Sequence, residues 1–533
     1  MGTSANAAAA HRGVGAWARA EPDRAALILD GTARTFGELD ERTARLAAAF
    51  AGLGVGADDR VAIMLPNGFE CFEAWGAATR LGAAVVLVNW HLKADELAYI
   101  LADSGAKVLV AHATLAGFFE PALGLVPGCR VLVVGGSGGG RGSVDGAAGA
   151  DAADYEAALA AAPDASVAAA RAVDIGGLTS PIFYTSGTTG RPKGVVHGRP
   201  DPEATVRNIE GQVALWGWSA DDVYILSGPA YHAGPGGFAM AALYVGAPTV
   251  ILPAFEPLEW LRLVDVHRVT CSFMVPSHFI RILEVPEAER AALDHSSLRL
   301  IVHAGAPCPV VVKRRIIEAL APCEIAELYG MSEGGATRIS MAEWLERPGS
   351  VGVPWPGVEV RILDETGAPV AEGETGLIYV RPPGGARFEY HDDPEKTASV
   401  WSDDAFSVGD VGHLDADGYL YLTDRAADMV IRGGVNIYPR EIEEVLYEHP
   451  SVVDCAVFGI PDERFGERLH AVVEVRDIID VDALREHCSE HLADFKVPAS
   501  FELVARLPRQ PNGKVLKRVL REPHWEGRAS KLV

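Results

Sequence analysis

The chain has 533 residues, more than one hydrophobic core usually supports, so two or more domains are expected. Hydrophobic residues make up 49% and charged residues 22%, an ordinary balance for a globular protein, while the formal net charge of −25 argues against a surface built for nucleic acid or anionic lipid. Any anionic ligand must then be held by a local cluster of donors. Seven cysteines (Cys71, Cys129, Cys271, Cys308, Cys323, Cys455 and Cys488) are dispersed with no C-x-x-C pair, which reads as reduced, mostly buried thiols of a cytoplasmic protein. The start carries no secretory pattern, and no apolar run is long enough to span a bilayer.

Along the chain, RVAIML (60–65) and AAVVLVN (83–89) predict buried strands. ERTARLAAAFAGLG (41–54) and ADELAYILADSG (94–105) place apolar residues at helical spacing and stop at glycine. KVLVAH (107–112) and RVLVVG (130–135) continue a strand–helix alternation that predicts an α/β fold with a mostly parallel sheet. From 135 to 172 the composition turns to Gly, Ala, Ser and Asp, and its first part reads as a mobile surface loop. A second α/β series follows over about 200–330. Beyond 350, VEVRIL (358–363), GLIYVRP (376–382) and GYLYLT (418–423) predict a β-rich unit. REIEEVLYEH (440–449), VVDCAVFGI (452–460), HAVVEVR (470–476) and VDALREHCSEHL (481–492) return to mixed α+β order. The polar, glycine-bearing stretch 424–436 is the expected hinge. The predicted organisation is a large N-terminal domain over 1–424, with its β-rich part over about 350–424, and a small mobile domain over 425–533.

The densest chemistry lies at 184–198, YTSGTTGRPKGVVHG. Thr185, Ser186, Thr188 and Thr189 are hydroxyl donors, and Gly187, Gly190 and Gly194 let backbone N–H groups approach a ligand. Lys193 adds a charge, completing a plausible anion cradle between two strands. This is not a Walker A loop: Pro192 stands where that motif has its second glycine, and Gly194 follows the lysine in place of Ser or Thr.

YTSGTTGRPKGV closely resembles the phosphate-binding loop of the adenylate-forming superfamily, which includes acyl-CoA synthetases, luciferases and peptide-synthetase adenylation domains. AGAP (304–307), ELYGMSE (327–333), SVGD (407–410), DRAADMVIRGGVNIYPREIE (424–443) and PRQPNGK (508–514) extend the resemblance, in order, from TFGEL (35–39) onward. In that family pattern Gly305, Ala306 and Pro307 would wall the adenine slot. The run Glu327, Leu328, Tyr329, Gly330, Met331, Ser332 would supply an aromatic face and a phosphate donor. Glu333 would be the hard oxygen ligand for Mg2+. Asp410 would accept the ribose hydroxyls and Arg425 would contact ribose or phosphate. Lys514 would reach the carboxylate and α-phosphate as pyrophosphate leaves, with Lys193 and Glu333 as the other catalytic candidates.

PAYHAGPGG (229–237) resembles the block lining the acyl pocket, so His232, Gly236 and Gly237, with Ser277 and His303, are the candidate lining. Small residues there would leave room for a bulky acyl group, or equally allow close helix packing. Gly433 and Gly434 would leave room for the pantetheine arm of CoA. The family hinge, two residues after the arginine, is Ala427 here in place of the frequent Asp or Lys. The resemblance implies a ligase using ATP, Mg2+ and CoA that adenylates a carboxylic acid, fatty or aromatic, and passes the acyl group to a thiol while its C-terminal domain rotates. Loading of a separate carrier protein, or activation of nitrite for diazotisation of an arylamine, would use the same nucleotide motifs.

Overall fold

The computed structural model describes residues 12–136, 152–172, 181–185, 192–198, 202–477, 479–511 and 513–526. The chain divides into two compact units. One comprises Met1–Phe273 with Arg387–Thr397, and the other Met274–Ala386 with Ala398–Val533.

In the first unit an eight-stranded sheet runs in the order Phe388–Tyr390, Lys193–His197, Ile182–Thr185, Ala84–Leu87, Arg60–Met64, Val108–His112, Arg130–Val134, Ala152–Asp154. The strands from Ile182–Thr185 to Ala152–Asp154 are parallel, as the strand–helix alternation predicts. Their nearly unbroken apolar runs follow from burial on both faces. Ala62, Val86, Leu97, Leu101, Leu109 and Val131 are buried in a core shared with the helix Ala94–Ser104, which ends at left-handed Gly105. The helix predicted over 41–54 spans Phe36–Gly52. It begins earlier because Thr35 and Glu38 close a reciprocal capping box. Part of the alanine-rich stretch is helical, over Tyr155–Ala161 and Asp164–Ala172, while 137–151, where the mobile loop was expected, lie outside the described residues.

The second unit holds a sheet in which Leu300–His303 lies parallel to Glu324–Met331, followed by antiparallel Gly334–Ile339 and Ser350–Pro354. Leu420–Arg425, Asp410–Leu414 and Gly376–Arg381 extend it through the β-rich stretch. A separate five-stranded sheet carries the C-terminal residues around Val452–Asp462 and Gly466–Val475, covered by the helices Pro439–Glu448 and Val481–His491. The expected hinge stretch 424–436 is only in part a connection. Val430–Arg432 and Val435–Ile437 pair as a hairpin inside it, leaving residues 426–429 between strands.

Candidate active site

The sequence puts a Gly/Thr/Ser stretch between two strands, and the structure closes its base. Ile182–Thr185 and Lys193–His197 pair antiparallel, with Thr185 opposite Lys193. Ser186, Gly187, Thr188, Thr189 and Gly190 lie outside the described residues. Lys193 is three-quarters or more buried along its side chain. Its Nζ lies 3.5 Å from Asp393 Oδ2 and 5.5 Å from the centre of the Tyr390 ring. Asp393 and Tyr390 arrive from nearly two hundred residues downstream because Phe388–Tyr390 adds as an edge strand to Lys193–His197. No local pattern in the sequence marks those two partners.

Also in the first unit, His232 precedes the helix Ala233–Val245. Its Nε2 is buried with no hydrogen-bond partner, and desolvation lowers its pKa to about 4, so the imidazole is neutral. The adjacent Tyr231 also has a buried, unpartnered hydroxyl, and the two rings lie 4.5 Å apart. The glycines divide. A Cβ on Gly236 would stand 2.1 Å from the Ala230 carbonyl oxygen, so close packing requires that residue, whereas one on Gly237 would meet nothing within 4 Å.

The second unit gathers the remaining candidates. The parallel pairing sets His303, the last residue of its strand, opposite Glu327, midway along Glu324–Met331. Gly305, Ala306 and Pro307 follow at the surface. Leu328, Gly330 and Met331 continue the Glu324–Met331 strand, with a register shift between Tyr329 and Gly330. Ser332 and Glu333 form the turn into Gly334–Ile339. Tyr329 is buried to within 9% and donates its hydroxyl to Asp410 Oδ2 at 2.7 Å. Asp410 and Arg425 face each other across the Asp410–Leu414/Leu420–Arg425 pair, and Arg425 Nε reaches Asp410 Oδ1 at 3.1 Å.

Lys514 is brought close enough to this pair for their charges to act on it. The residue as a whole is exposed. Local desolvation, then the Arg425 charge, lowers its pKa to about 8, against the raising influence of Asp410 and Asp428. The exposure sets the limit on this effect, since solvent screens part of it. Gly513, left-handed at φ +87°, packs against Ser277: a Cβ there would stand 1.9 Å from Ser277 Oγ. Ser277 is itself buried in the first turn of Pro276–Glu284.

Glu327 carries a role the sequence does not announce. Its carboxylate accepts from Lys313 Nζ at 2.6 Å, and the lysine side chain is fully buried, 4.6 Å from the centre of the Trp344 ring. His303 Nε2 lies 3.5 Å from the same Glu327 oxygen. Desolvation and the Lys313 charge hold its pKa well below the ordinary value. A lysine set within the apolar run VVVK (310–313) is the one sequence signal for this pair. Gly433 and Gly434 form the tight turn between Val430–Arg432 and Val435–Ile437, both left-handed, with φ +58° and +84°. Ala427 is exposed in the turn that follows Leu420–Arg425.

Among the described residues no group of three or more His, Cys, Asp or Glu is arranged to hold a metal ion. A single carboxylate such as Glu333 fits a cation whose other ligands are phosphate oxygens and water, the usual condition of Mg2+. No described helix is long and apolar enough to cross a membrane.

The model of the AMP-binding enzyme family matches residues 14–388, and that of the AMP-binding enzyme C-terminal domain matches residues 441–514. The chain is 37% identical over 521 residues to a feruloyl-CoA synthase of an Amycolatopsis species, covering 95% of this chain and 98% of the relative. It is 30% identical to the fatty acid–[acyl-carrier-protein] ligase ScoC of Streptomyces coeruleorubidus, covering 97% and 96%. Among solved structures, the anthranilate CoA ligase AuaEII in complex with anthranoyl-AMP matches with a TM-score of 0.83 at 25% identity, over 96% of this chain and 97% of that one. The chain thus belongs to the AMP-binding enzymes, the adenylate-forming superfamily.

Proposed function

We propose that the protein is an ATP-dependent acid–CoA ligase acting in the cytoplasm. A carboxylate oxygen attacks the α-phosphorus of ATP, the bond to the β-phosphate oxygen breaks, and pyrophosphate leaves. The sulfur of CoA, its proton lost to solvent, then attacks the acyl carbonyl carbon, and the bond to AMP breaks. The convergence of Lys514, Asp410, Arg425 and Tyr329 within one unit carries this reading. Asp410, clamped on both oxygens, is a fixed acceptor for ribose hydroxyls. Arg425 and Lys514 bring positive charge to the phosphates and to the oxygen that attacks. Such a transfer needs alignment and charge neutralisation more than covalent help. Mg2+, held through Glu333 and the phosphates, would neutralise charge on the departing pyrophosphate.

For the acid we propose an aromatic carboxylate. Phe238 and Phe273 stand 4.9 Å apart near the start of Ala233–Val245, and the unpartnered Tyr231 hydroxyl and His232 Nε2 call for a polar substituent. A hydroxylated aryl acid satisfies both conditions, and a saturated fatty chain satisfies only the first. The relative named feruloyl-CoA synthase and the anthranilate CoA ligase favour the same class. Pyrophosphate release over a panel of hydroxycinnamic, benzoic and fatty acids, with and without CoA, tests both claims. Sustained turnover with an aryl acid only when CoA is present is the expected result. Turnover that needs a carrier protein in place of CoA, or a preference for fatty acids, would replace the acceptor or the acid accordingly.

A further inference from the structure

Lys514 sits on a tight turn at the edge of the C-terminal sheet. The Gln510 N–H donates to the Lys514 carbonyl at 2.8 Å, the Gly513 N–H to the Gln510 carbonyl at 2.8 Å, and the Leu516 N–H to the Pro508 carbonyl at 2.9 Å. Arg509 and Val515 bridge antiparallel across the base. These bonds shape the turn, and Val515 packs at its base against the buried cluster of Ala456, Phe458, Ile460, Val472 and Leu507. The direction of a side chain at the tip needs further ties, since misplacing a catalytic group by about 1 Å can cost about 100-fold in rate.

A charged side chain also ties the turn to the sheet. Arg509 Nη1 donates to the carbonyl of Gly513, the residue just before Lys514, at 3.1 Å, while Nη2 pairs with Asp454 Oδ2. Asp454 is only 2% exposed in the otherwise apolar strand Val452–Asp462, where it also accepts the Tyr447 hydroxyl and the Cys455 N–H. Glu474 lies 3.8 Å from Arg509 and accepts the Leu507 N–H at 2.8 Å. A carboxylate inside an apolar strand is costly unless paired, so Asp454 needs the guanidinium. The guanidinium has a second prong, and the structure turns it onto the lysine turn.

We propose that Arg509, seated on Asp454, is a positioning residue for adenylation: its fork holds the Gly513 carbonyl and so sets the direction of Lys514. This rests on the reading of Lys514 as the residue serving the adenylation step. A plain structural role for the Arg509–Asp454 pair would need only the ion pair. Lysine would supply that, but it lacks the planar second donor that reaches Gly513.

Arg509→Lys is therefore the deciding variant, made in the full chain and read in two half-reactions. The first is acid-dependent pyrophosphate exchange, and the second is thioester formation from a supplied acyl-adenylate. The expected result is a melting temperature near that of the unaltered protein, exchange slower by about 10- to 100-fold, and thioester formation unchanged. Exchange at the unaltered rate, or equal losses in both half-reactions, would overturn the proposal. Arg509→Ala should lose at least as much exchange, and if it does not fold, Arg509→Lys still decides. Lys514→Ala is the control for the underlying reading. If it keeps pyrophosphate exchange, the assignment of Lys514 fails; if it loses exchange while Arg509→Lys does not, only the positioning role fails.

Discussion

Tyr329 donates to one oxygen of Asp410 at 2.7 Å while Arg425 holds the other at 3.1 Å. Burial and the neighbouring carboxylate raise the Tyr329 pKa well above its ordinary value, so the phenol stays a donor across the physiological range. The carboxylate is thus oriented before any ligand arrives. Asp410→Asn should keep the shape but exchange an acceptor for a donor, weakening AMP and ATP binding by about 10- to 100-fold, as expected for loss of hydrogen bonds to a charged group. Tyr329→Phe should weaken binding less. Calorimetric titration with AMP checks both, and an unaltered Kd in Asp410→Asn would remove Asp410 from the nucleotide site.

The depressed pKa of Lys514 gives adenylation a pH signature. In the proposed adenylation step the ammonium is the useful form, and it is lost as pH rises through about 8. The kcat/KM for ATP in pyrophosphate exchange, which reports groups of the free enzyme, should therefore fall above about pH 8. Lys514→Arg stays charged throughout, so whatever activity it retains should not fall over that range. A profile flat to pH 10 in the unaltered enzyme would contradict the environment described for Lys514.

Gly513 has no room for a side chain. A Cβ would lie 1.9 Å from Ser277 Oγ, and the left-handed φ of +87° adds a cost of about 1 kcal/mol for any other residue. Gly513→Ala and Ser277→Leu should each keep the lysine turn from seating on the Pro276–Glu284 helix. Pyrophosphate exchange should drop at least tenfold, whereas thioester formation from a supplied acyl-adenylate should persist. Equal loss of both steps would mean that this contact matters to more than adenylation.

Lys313 and Glu327 form a fully enclosed ion pair, and removing one partner strands the other's charge. Lys313→Met should destabilise the protein by about 3–5 kcal/mol, measured by denaturant unfolding. The double variant Lys313→Met/Glu327→Gln should recover much of that loss, because no buried charge remains. Failure of the second change to recover stability would show that the pair is not the source of the cost.

All seven cysteines are buried thiols, none joined in a disulfide. Desolvation pushes the Cys71 and Cys129 thiols up to about 12 and Cys488 to about 11, so almost no thiolate exists at neutral pH. A thiol reagent should label the folded enzyme slowly and reach all seven groups in denaturant. Rapid labelling of the native protein, with loss of activity, would contradict this picture.

The sequence by itself determined the class of fold and the parts of the site that are written locally. Strand and helix periodicity gave the parallel sheet, because burial on one face or two leaves a repeat in the chain. The family resemblance carried by YTSGTTGRPKG, YGMSE, SVGD and PNGK singled out the 184–198 loop, Tyr329, Glu333, Asp410 and Lys514 as candidates, because such motifs are a few residue types at fixed short spacing. The tertiary structure alone decided the partnerships: Asp393 and Tyr390 on Lys193, Lys313 beneath Glu327, Ser277 against Gly513, and Asp454 with Arg509 behind Lys514. These pairs join residues from 14 to more than two hundred positions apart, beyond the reach of any local motif. A charge in an apolar run can show that a partner is needed, as at Lys313 and Asp454, but only the folded chain shows which one it meets.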